Sequence, residues 1–269
     1  MSELTAIHKY PRTPHILGSG LQADDDTATI VAFADLAGRY LVVEEKMDGA
    51  NSAISFAADG RLLLQSRGHY LTGGPRERQF DLFKRWARRY TAELWNLLGD
   101  RYILYGEWLY AKHTIYYTDL PHYFLEFDIY DIQEDAFLST VRRRELLRAA
   151  PFLASVLVLR EGTFDSLAEL TALIGPSHFI TVSETTGDHL AGLRGAACAQ
   201  GIDPQRAVAE TDPTPLMEGL YVKVEEGGRV TERYKYVRRG FLQTVIDSQS
   251  HWMDRPLLPN SLHAGASLL

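Results

Sequence analysis

Short apolar runs, rich in β-branched and aromatic side chains, recur along the chain and predict strands. Two of these runs, residues 40–45 and 52–57, lie in GRYLVVEEKMDGANSAISF on either side of Asp48 and Gly49. An Asp-Gly pair between such runs is typical of a hairpin turn. Similar patterns predict strands at 61–67, 101–110 and 122–131, and a second hairpin around Gly227 and Gly228. The chain is therefore expected to contain antiparallel sheet.

Helical periodicity is clearest in one long segment. Between residues 76 and 98, apolar residues recur at three- and four-residue steps, which predicts a single amphipathic helix ended by Gly99. Further helices are predicted from Ser139 or Thr140 to about Ala150, from Asp165 or Ser166 to Ile174, in two pieces within 187–210, and over RRGFLQTVIDSQS. Strands and helices in this mixed order predict an α+β fold with antiparallel sheets flanked by helices.

Composition narrows the class of protein. The chain has 269 residues, of which 45% are hydrophobic and 23% charged, and this is ordinary for a globular protein. No apolar run approaches the length of a membrane span, and the first ten residues lack the apolar core of a signal peptide. The single cysteine, Cys198, excludes an internal disulfide and a zinc-binding thiolate cluster. These features predict a cytoplasmic protein with no membrane partner.

The charge distribution bears on nucleic-acid binding. A formal net charge of −7 is unfavourable for a polyanionic partner. Three segments are nevertheless locally basic: KRWARR at 84–89, VRRRELLR at 141–148 and RYKYVRRG at 233–240. Any nucleic-acid contact is therefore expected to rest on local patches.

Lys46 stands at the end of a predicted strand, directly before Asp48 and Gly49. An exposed lysine is protonated at neutral pH and is no nucleophile, but neighbouring cations lower its pKa so that the amine can attack. Candidate cations on other predicted strands are Arg67, Lys223 and Lys235, and candidate carboxylates for a divalent metal are Glu107, Asp128 and Glu218. A lysine nucleophile with cations and metal-binding carboxylates is typical of phosphoryl or nucleotidyl transfer.

The order of these residues along the chain resembles a known family. EKMDGAN resembles the lysine-x-aspartate-glycine motif of the covalent nucleotidyltransferase superfamily, which contains ATP-dependent ligases and capping enzymes. Asn51 stands where RNA ligases of the phage end-joining type carry an asparagine, so the motif most resembles that branch of the family. The remaining motifs follow in the family's order: QSRG with Arg67, LYGEWLY with Glu107, FLEFDIYD with Phe127 and Asp128, EGLYVK with Glu218 and Lys223, and RYKYVRRGF with Lys235.

This resemblance implies a fold, a reaction and a set of roles. The fold is the nucleotidyltransferase fold, the ATP-grasp-like adenylation domain of ligases, expected over residues 1–250 with an irregular tail at 251–269. Lys46 would attack the α-phosphate of ATP and carry AMP. The roles implied for the other residues are phosphate neutralisation by Lys223 and Lys235, adenine contacts by Glu45 and Phe127, ribose contact by Glu107, phosphate contact by Arg67, orientation by Asn51, and binding of Mg²⁺ or Mn²⁺ by Glu218 and Asp48.

The sequence departs from the family pattern in two places. The fifth motif of the family carries two lysines one residue apart, whereas here the pair is either Arg233 with Lys235 or Lys235 with Arg238. In addition, only about thirty residues follow this motif, so there is no room for the further RNA-binding module of many relatives. RNA is then held by a partner protein, by a second copy, or by basic residues of the core, for which Lys84, Arg88, Arg238 and Arg239 are the candidates.

The function implied by the resemblance is that of an ATP-dependent RNA ligase. Such an enzyme seals 5′-phosphate and 3′-hydroxyl RNA ends through a lysyl-AMP and an adenylated RNA, and RNA repair with a separate end-healing kinase or phosphatase is the expected setting. The alternatives are a DNA ligase, a GTP-dependent capping-type enzyme, and a catalytically inactive nucleic-acid-binding relative. The presence of Lys46, Glu107, Glu218 and Lys223 argues against the inactive relative.

Overall fold

The computed structural model describes residues 6–21, 30–183, 185–248, 255–266 and 268. The predicted α+β class is confirmed: helices flank one large, mainly antiparallel sheet. The predicted tail at 251–269 lies partly outside the described residues, because 251–254, 267 and 269 are not among them. No helix within the described ranges is long and apolar enough to cross a membrane.

Ten strands make up the sheet in the described part of the chain. They are β1 (Leu41–Lys46), β2 (Ala50–Phe56), β3 (Leu62–Ser66), β4 (Tyr102–Trp108), β5 (Phe124–Asp131), β6 (Ala136–Leu138), β7 (Ala154–Ser155), β8 (Val158–Gly162), β9 (Gly219–Glu226) and β10 (Arg229–Val237). Nine of them follow the order β3-β2-β4-β5-β6-β10-β9-β1-β8, and β7 pairs with β5 in parallel. The short β6 joins two halves, one built on β2, β4 and β5 and the other on β1, β9 and β10.

The prediction of a hairpin around Asp48 and Gly49 is wrong. β1 pairs with β8 and β9, whereas β2 pairs with β3 and β4, so the turn crosses from one half of the sheet to the other. Gly49 is needed for space, since a Cβ there would lie 2.7 Å from a methyl carbon of Leu109 and 2.9 Å from the carbonyl oxygen of Trp108. The predicted hairpin between β9 and β10 is confirmed.

The predicted single helix over 76–98 is broken into three pieces. A 3-10 helix at Pro75–Phe80 leads into α1 (Asp81–Arg89), and Tyr90 separates α1 from α2 (Thr91–Leu98). The hydroxyl of Thr91 donates to the carbonyl oxygen of Arg88 at 2.8 Å, and such back-bonding favours a bend. The apolar periodicity continues across the break, and for this reason the pattern does not reveal it.

The remaining helices lie close to their predicted positions. They are α3 (Thr140–Leu147), α4 (Leu167–Thr171), α5 (Ala191–Ala199), α6 (Pro204–Ala209) and α7 (Arg239–Asp247). Ser139 and Ser166 are the N-caps of α3 and α4, and their hydroxyls accept from the backbone N–H groups of Arg142 and Glu169. Both helices end about three residues earlier than predicted.

Each half of the sheet has its own apolar core. In the first half, α1 packs Phe83 and Trp86 against Trp108 and Phe124 of the sheet. In the second half, Leu41 of β1 and Leu220 of β9 belong to a separate buried cluster. The two cores leave a cleft between the halves, and the turn that follows Lys46 crosses it.

The N-terminal segment connects the two halves. The carbonyl oxygen of His8 accepts a hydrogen bond from the side chain of Gln65 in β3. Further along, the N–H of Ile16 donates to Lys235 of β10 at 3.0 Å, and the N–H of Lys235 donates to Pro14 at 2.9 Å. This segment therefore holds the backbone of a residue predicted to be catalytic.

Candidate active site

A pocket of about 570 Å³ lies in the cleft between the two halves of the sheet. Seven of the residues predicted from sequence line it: Glu45, Lys46, Asn51, Arg67, Glu107, Phe127 and Lys235. Six of them come from five different strands, and Arg67 directly follows β3. Only the folded sheet therefore brings them together. Among the other lining residues are Tyr10, Thr13, His69, Gln79, Phe80 and Tyr221, to which the sequence assigned no role.

Lys46 contacts a carboxylate at the centre of this site. Its Nζ lies 2.7 Å from both carboxylate oxygens of Glu218, which directly precedes β9, the strand beside β1. Burial disfavours the charged ammonium, but Glu218, Glu107 and Asp48 outweigh burial and raise the pKa of Lys46. These carboxylates therefore favour the charged form of Lys46.

Two carboxylates near Lys46 have strongly raised pKa values. Burial is the main cause: it raises the pKa of Glu107 to about 8 and that of Glu218 to about 7, although the charge of Lys46 acts in the opposite direction. The charge of Asp48 adds to both increases. The site therefore concentrates negative charge that a further cation would relieve.

The donor set fits a divalent cation that shares its ligands with a phosphate. Magnesium is commonly held by one or two carboxylates together with substrate phosphates and water, so a cage of protein ligands is not required. Glu218, beside Lys46, is the carboxylate available for this purpose. Within the described residues no cluster of three or more acidic, histidine or cysteine side chains is arranged to hold a metal.

Asp48 holds the turn in place. Its carboxylate accepts hydrogen bonds from the backbone N–H groups of Thr114 and Ile115, both at 2.7 Å, and its own N–H donates to the hydroxyl of Tyr117. The turn that follows Lys46 is thereby fixed to the segment after β4. Metal binding by Asp48 stays a prediction, and the observed contacts give it a positioning role.

Lys223 lies beneath the pocket and is absent from its lining. Its Nζ is 3.0 Å from Glu44 and 3.0 Å from Asp128, and it also donates to the carbonyl oxygen of Phe127. The ammonium is fully buried and neutralised by these two carboxylates. Lys223 therefore supports the strand that carries Phe127, and its predicted contact with phosphate is not supported by this placement.

The structure distinguishes the two alternatives for the fifth motif. Lys235 lines the pocket, and Arg233 lies two residues before it on the same strand, with its guanidinium 3.8 Å from the ring centre of Phe137 and its Nε 3.7 Å from Asp128. Arg238 instead donates to the carbonyl oxygen of Met217 at 2.6 Å. The pair on one face is therefore Arg233 with Lys235.

Two of the predicted RNA-binding residues are engaged in the fold. Arg238 also pairs with Asp212, and its N–H donates to the carbonyl oxygen of Glu218, so it holds the loop that carries Glu218. Lys84 is 11% exposed and forms ion pairs with Glu77 and Asp81. The predicted RNA contacts of Arg238 and Lys84 stay predictions, and the observed contacts give both side chains partners within the fold.

The other two predicted RNA-binding residues are accessible. Arg88 on α1 and Arg239 at the start of α7 are both exposed. Arg88 and the exposed Arg85 line a second depression, of about 310 Å³, together with Leu71, Thr72, Gly73, Asp81 and Lys84. We call this surface the α1 groove.

Glu45 and Phe127 occupy different environments. The carboxylate of Glu45 accepts hydrogen bonds from the hydroxyl of Ser177 at 2.5 Å and the backbone N–H of His178 at 3.1 Å, so its predicted contact with an adenine amino group competes with these donors. The ring of Phe127 lines the pocket and lies edge-on to Tyr10, with Tyr221 tilted beside it at 6.1 Å.

The aromatic neighbours of Phe127 form a linked group that sequence reasoning missed. The hydroxyls of Tyr10 and Tyr221 lie 2.5 Å apart, and Tyr10 also donates to Asp128. Strand alternation offers a signal for Tyr221, since it shares a face with Lys223 two residues later. No local pattern marks Tyr10, because its place depends on a segment that is distant in sequence.

Comparison with known proteins assigns the chain to a class. The family model described as RNA ligase matches residues 39–237, which is most of the chain, and the chain therefore belongs to the RNA ligase family. No curated protein matches the sequence.

The fold is shared with solved structures of Naegleria gruberi RNA ligase. A variant solved with ATP and Mn has a TM-score of 0.53 and 18% identity, with 80% of this chain and 54% of that chain covered. A variant with AMP and Mn has a TM-score of 0.52, 17% identity and the same coverage of 80% and 54%. The protein with PPi has a TM-score of 0.52 and 19% identity, covering 79% and 53%. The present chain thus spans about half the length of these relatives.

Proposed function

We propose that this protein is an ATP-dependent RNA ligase that forms a covalent lysyl-AMP at Lys46. The observation that carries the proposal is the position of Lys46 in the pocket, paired with Glu218 and in a cleft also lined by Lys235 and Phe127. Family membership and the ATP-bound state of the Naegleria gruberi structure support the choice of substrates.

The first step transfers AMP to the enzyme. Lys46 must lose a proton before its nitrogen can attack the α-phosphorus, and Glu218, with a pKa of about 7 and at 2.7 Å, is placed to receive it. The new N–P bond forms while the bond to pyrophosphate breaks. Lys235 offers a positive charge to the phosphate, and Phe127 offers an aromatic face to the base. A divalent cation, Mg²⁺ or Mn²⁺, would supply further neutralisation of phosphate charge, and Glu218 would hold it once the proton has left the site.

The two later steps act on RNA. The AMP passes from Lys46 to a terminal 5′-phosphate, which forms a 5′–5′ pyrophosphate bond and frees the lysine. A 3′-hydroxyl then attacks that 5′-phosphate, and AMP leaves. Repair of broken RNA is the setting in which such ends need sealing, and a separate kinase or phosphatase would prepare ends of other chemistry.

The test is a search for the covalent intermediate. Protein incubated with ATP and Mg²⁺ or Mn²⁺ is expected to gain the mass of one AMP on Lys46, by intact mass and peptide mapping, and more readily than it gains GMP from GTP. Lys46→Met should abolish the adduct because no nucleophile remains, whereas the exposed Lys9→Met should keep it. An adduct on another residue, or labelling of Lys46→Met, would refute the assignment.

The substrate class is tested separately. Wild-type protein should join RNA strands that carry a 5′-phosphate and a 3′-hydroxyl, and fail when the phosphate is removed. A preference for DNA ends in the same assay would contradict the RNA assignment while leaving the lysyl-AMP step intact.

A further inference from the structure

Gln79 is a buried polar residue of the pocket that the steps above do not use. It lies on the 3-10 helix before α1, is 8% exposed and lines the pocket. Its side-chain oxygen Oε1 is buried and has no hydrogen-bond partner among the described residues. A buried amide without a partner disfavours folding, so its presence requires an explanation.

The backbone holds Gln79 in place. Its carbonyl oxygen accepts a hydrogen bond of 2.7 Å from the indole Nε1 of Trp108, a fully buried residue of β4. The neighbouring Phe80 is buried in the core of the same half of the sheet. The amide of Gln79 is therefore presented to the pocket from a fixed backbone, as a binding residue needs.

Other hydrogen-bond acceptors belong to the same half of the sheet. Asn51 of β2 pairs with Glu107 of β4, and both line the pocket with Gln79. The Oδ1 atom of Asn51 is also buried without a partner among the described residues. The buried Oε1 of Gln79 and Oδ1 of Asn51 lack a donor among the described residues, so a ligand that satisfies these two atoms must bring hydrogen-bond donors. The hydroxyl groups of a ribose are such donors.

We propose that Gln79 is a sugar-recognising residue, whose amide oxygen accepts a hydrogen bond from a ribose hydroxyl. The proposal rests on the proposed function, because ATP and the end of an RNA strand are the two ligands of this pocket that carry ribose. Both offer the same chemistry, and the experiment below separates them.

The first arm measures nucleotide binding without catalysis. Wild-type protein is expected to bind ATP roughly five- to tenfold more tightly than the deoxy analogue, 2′-deoxy-ATP or 3′-deoxy-ATP, that lacks the recognised hydroxyl, which is the effect of one hydrogen bond. Gln79→Met keeps the shape of the side chain but removes the acceptor, so the preference should fall close to one. Gln79→Glu retains an acceptor and should retain the preference.

The second arm measures binding of RNA strands whose 3′-terminal sugar is ribose or 2′-deoxyribose. If Gln79→Met loses only the preference for ribose over 2′-deoxyribose in RNA, Gln79 contacts the RNA end. If it loses only the preference for ATP over its deoxy analogue, Gln79 contacts ATP. The exposed Gln133→Met is the matched control and should change neither ratio.

Stability separates recognition from a merely structural role. Gln79→Met removes an unpaired buried amide and should unfold at the same or a higher temperature than wild type. The proposal is overturned if Gln79→Met changes neither sugar ratio, or if wild type shows no sugar preference in either arm. It is also overturned if Gln79→Met lowers only the preference for ATP over ITP. These two nucleotides differ in the base, so that result would assign Gln79 to the base. Absence of lysyl-AMP in wild type would overturn the proposed function instead, since neither arm requires catalysis.

Discussion

At the scale of single residues, the protonation of Lys46 governs the proposed first step. Its surroundings favour the ammonium form, since Glu218, Glu107 and Asp48 together outweigh the effect of burial on its pKa. The neutral fraction of an amine grows as pH rises, so adenylylation is expected to become faster on the alkaline side of neutrality. Removing a paired carboxylate should therefore move this dependence to lower pH.

Glu218→Gln tests this reasoning without relying on activity. Loss of the carboxylate removes the largest contribution that opposes burial, and the pKa of Lys46 should fall. Competitive labelling of Lys46 by an amine-acylating reagent across a pH series, read by mass spectrometry, measures that pKa. Glu161→Gln, at a distant exposed ion pair with Arg144, is the control. An unchanged labelling midpoint in Glu218→Gln would show that the pair does not set the pKa of Lys46.

At the scale of elements, the basic residues of α1 differ in their surroundings: one forms ion pairs within the fold, and others are exposed. Lys84 turns inward to Glu77 and Asp81, whereas Arg85 and Arg88 remain exposed along the α1 groove. The net charge of −7 makes such a local groove the expected place for RNA phosphates.

The double variant Arg85→Ala, Arg88→Ala should weaken RNA binding and leave lysyl-AMP formation intact. Each lost phosphate contact should reduce the slope of log affinity against log salt by roughly 0.7 for single strands. RNA affinity measured over a salt series, beside the AMP adduct yield, tests both statements. Arg61→Ala removes an exposed arginine outside the three basic segments and serves as the control. If the salt slope of the double variant equals that of wild type, RNA is held elsewhere, on this chain or on a partner.

At the scale of the whole molecule, chain segments distant in sequence close the structure around the site. Asn260, near the end of the chain, accepts from the N–H of Tyr117 at 2.9 Å and donates to the carbonyl oxygen of Leu109 at 2.7 Å. Tyr117 also accepts from the N–H of Asp48. The part of the predicted tail around Asn260 is thus packed onto the segment that positions the turn after Lys46.

Asn260→Leu should lower the stability of the whole protein by about 1–3 kcal/mol, because two buried backbone groups lose their partner. For a chain of this size each kcal/mol corresponds to roughly 2–4 °C in melting temperature. Thermal unfolding measures the change, and Asn96→Leu on the exposed face of α2 controls for the added apolar side chain. Equal melting temperatures for Asn260→Leu and wild type would mean that the hydrogen bonds of Asn260 do not contribute to the stability of the protein.

Local patterns were enough to locate most of the elements. The apolar runs predicted β1 to β5, β9 and β10 because alternating and β-branched side chains report directly on strand conformation, and Ser139 and Ser166 marked helix starts by their capping chemistry. The two-residue β7 and three-residue β6 were not predicted, since they are too short to carry a period, and the five-residue β8 was not predicted either.

The sequence by itself determined the family, the position of Lys46 and seven of the residues that line the pocket, because motif order and residue type are properties of the chain. Only the tertiary structure decided which of them meet. Strand pairing turned the expected hairpin at Gly49 into a crossing between two half-sheets, and it placed Lys223 beneath Phe127 rather than in the pocket. Pairing over long distances also brought Gln79 and Asn51 to the same pocket, which no local sequence pattern predicts.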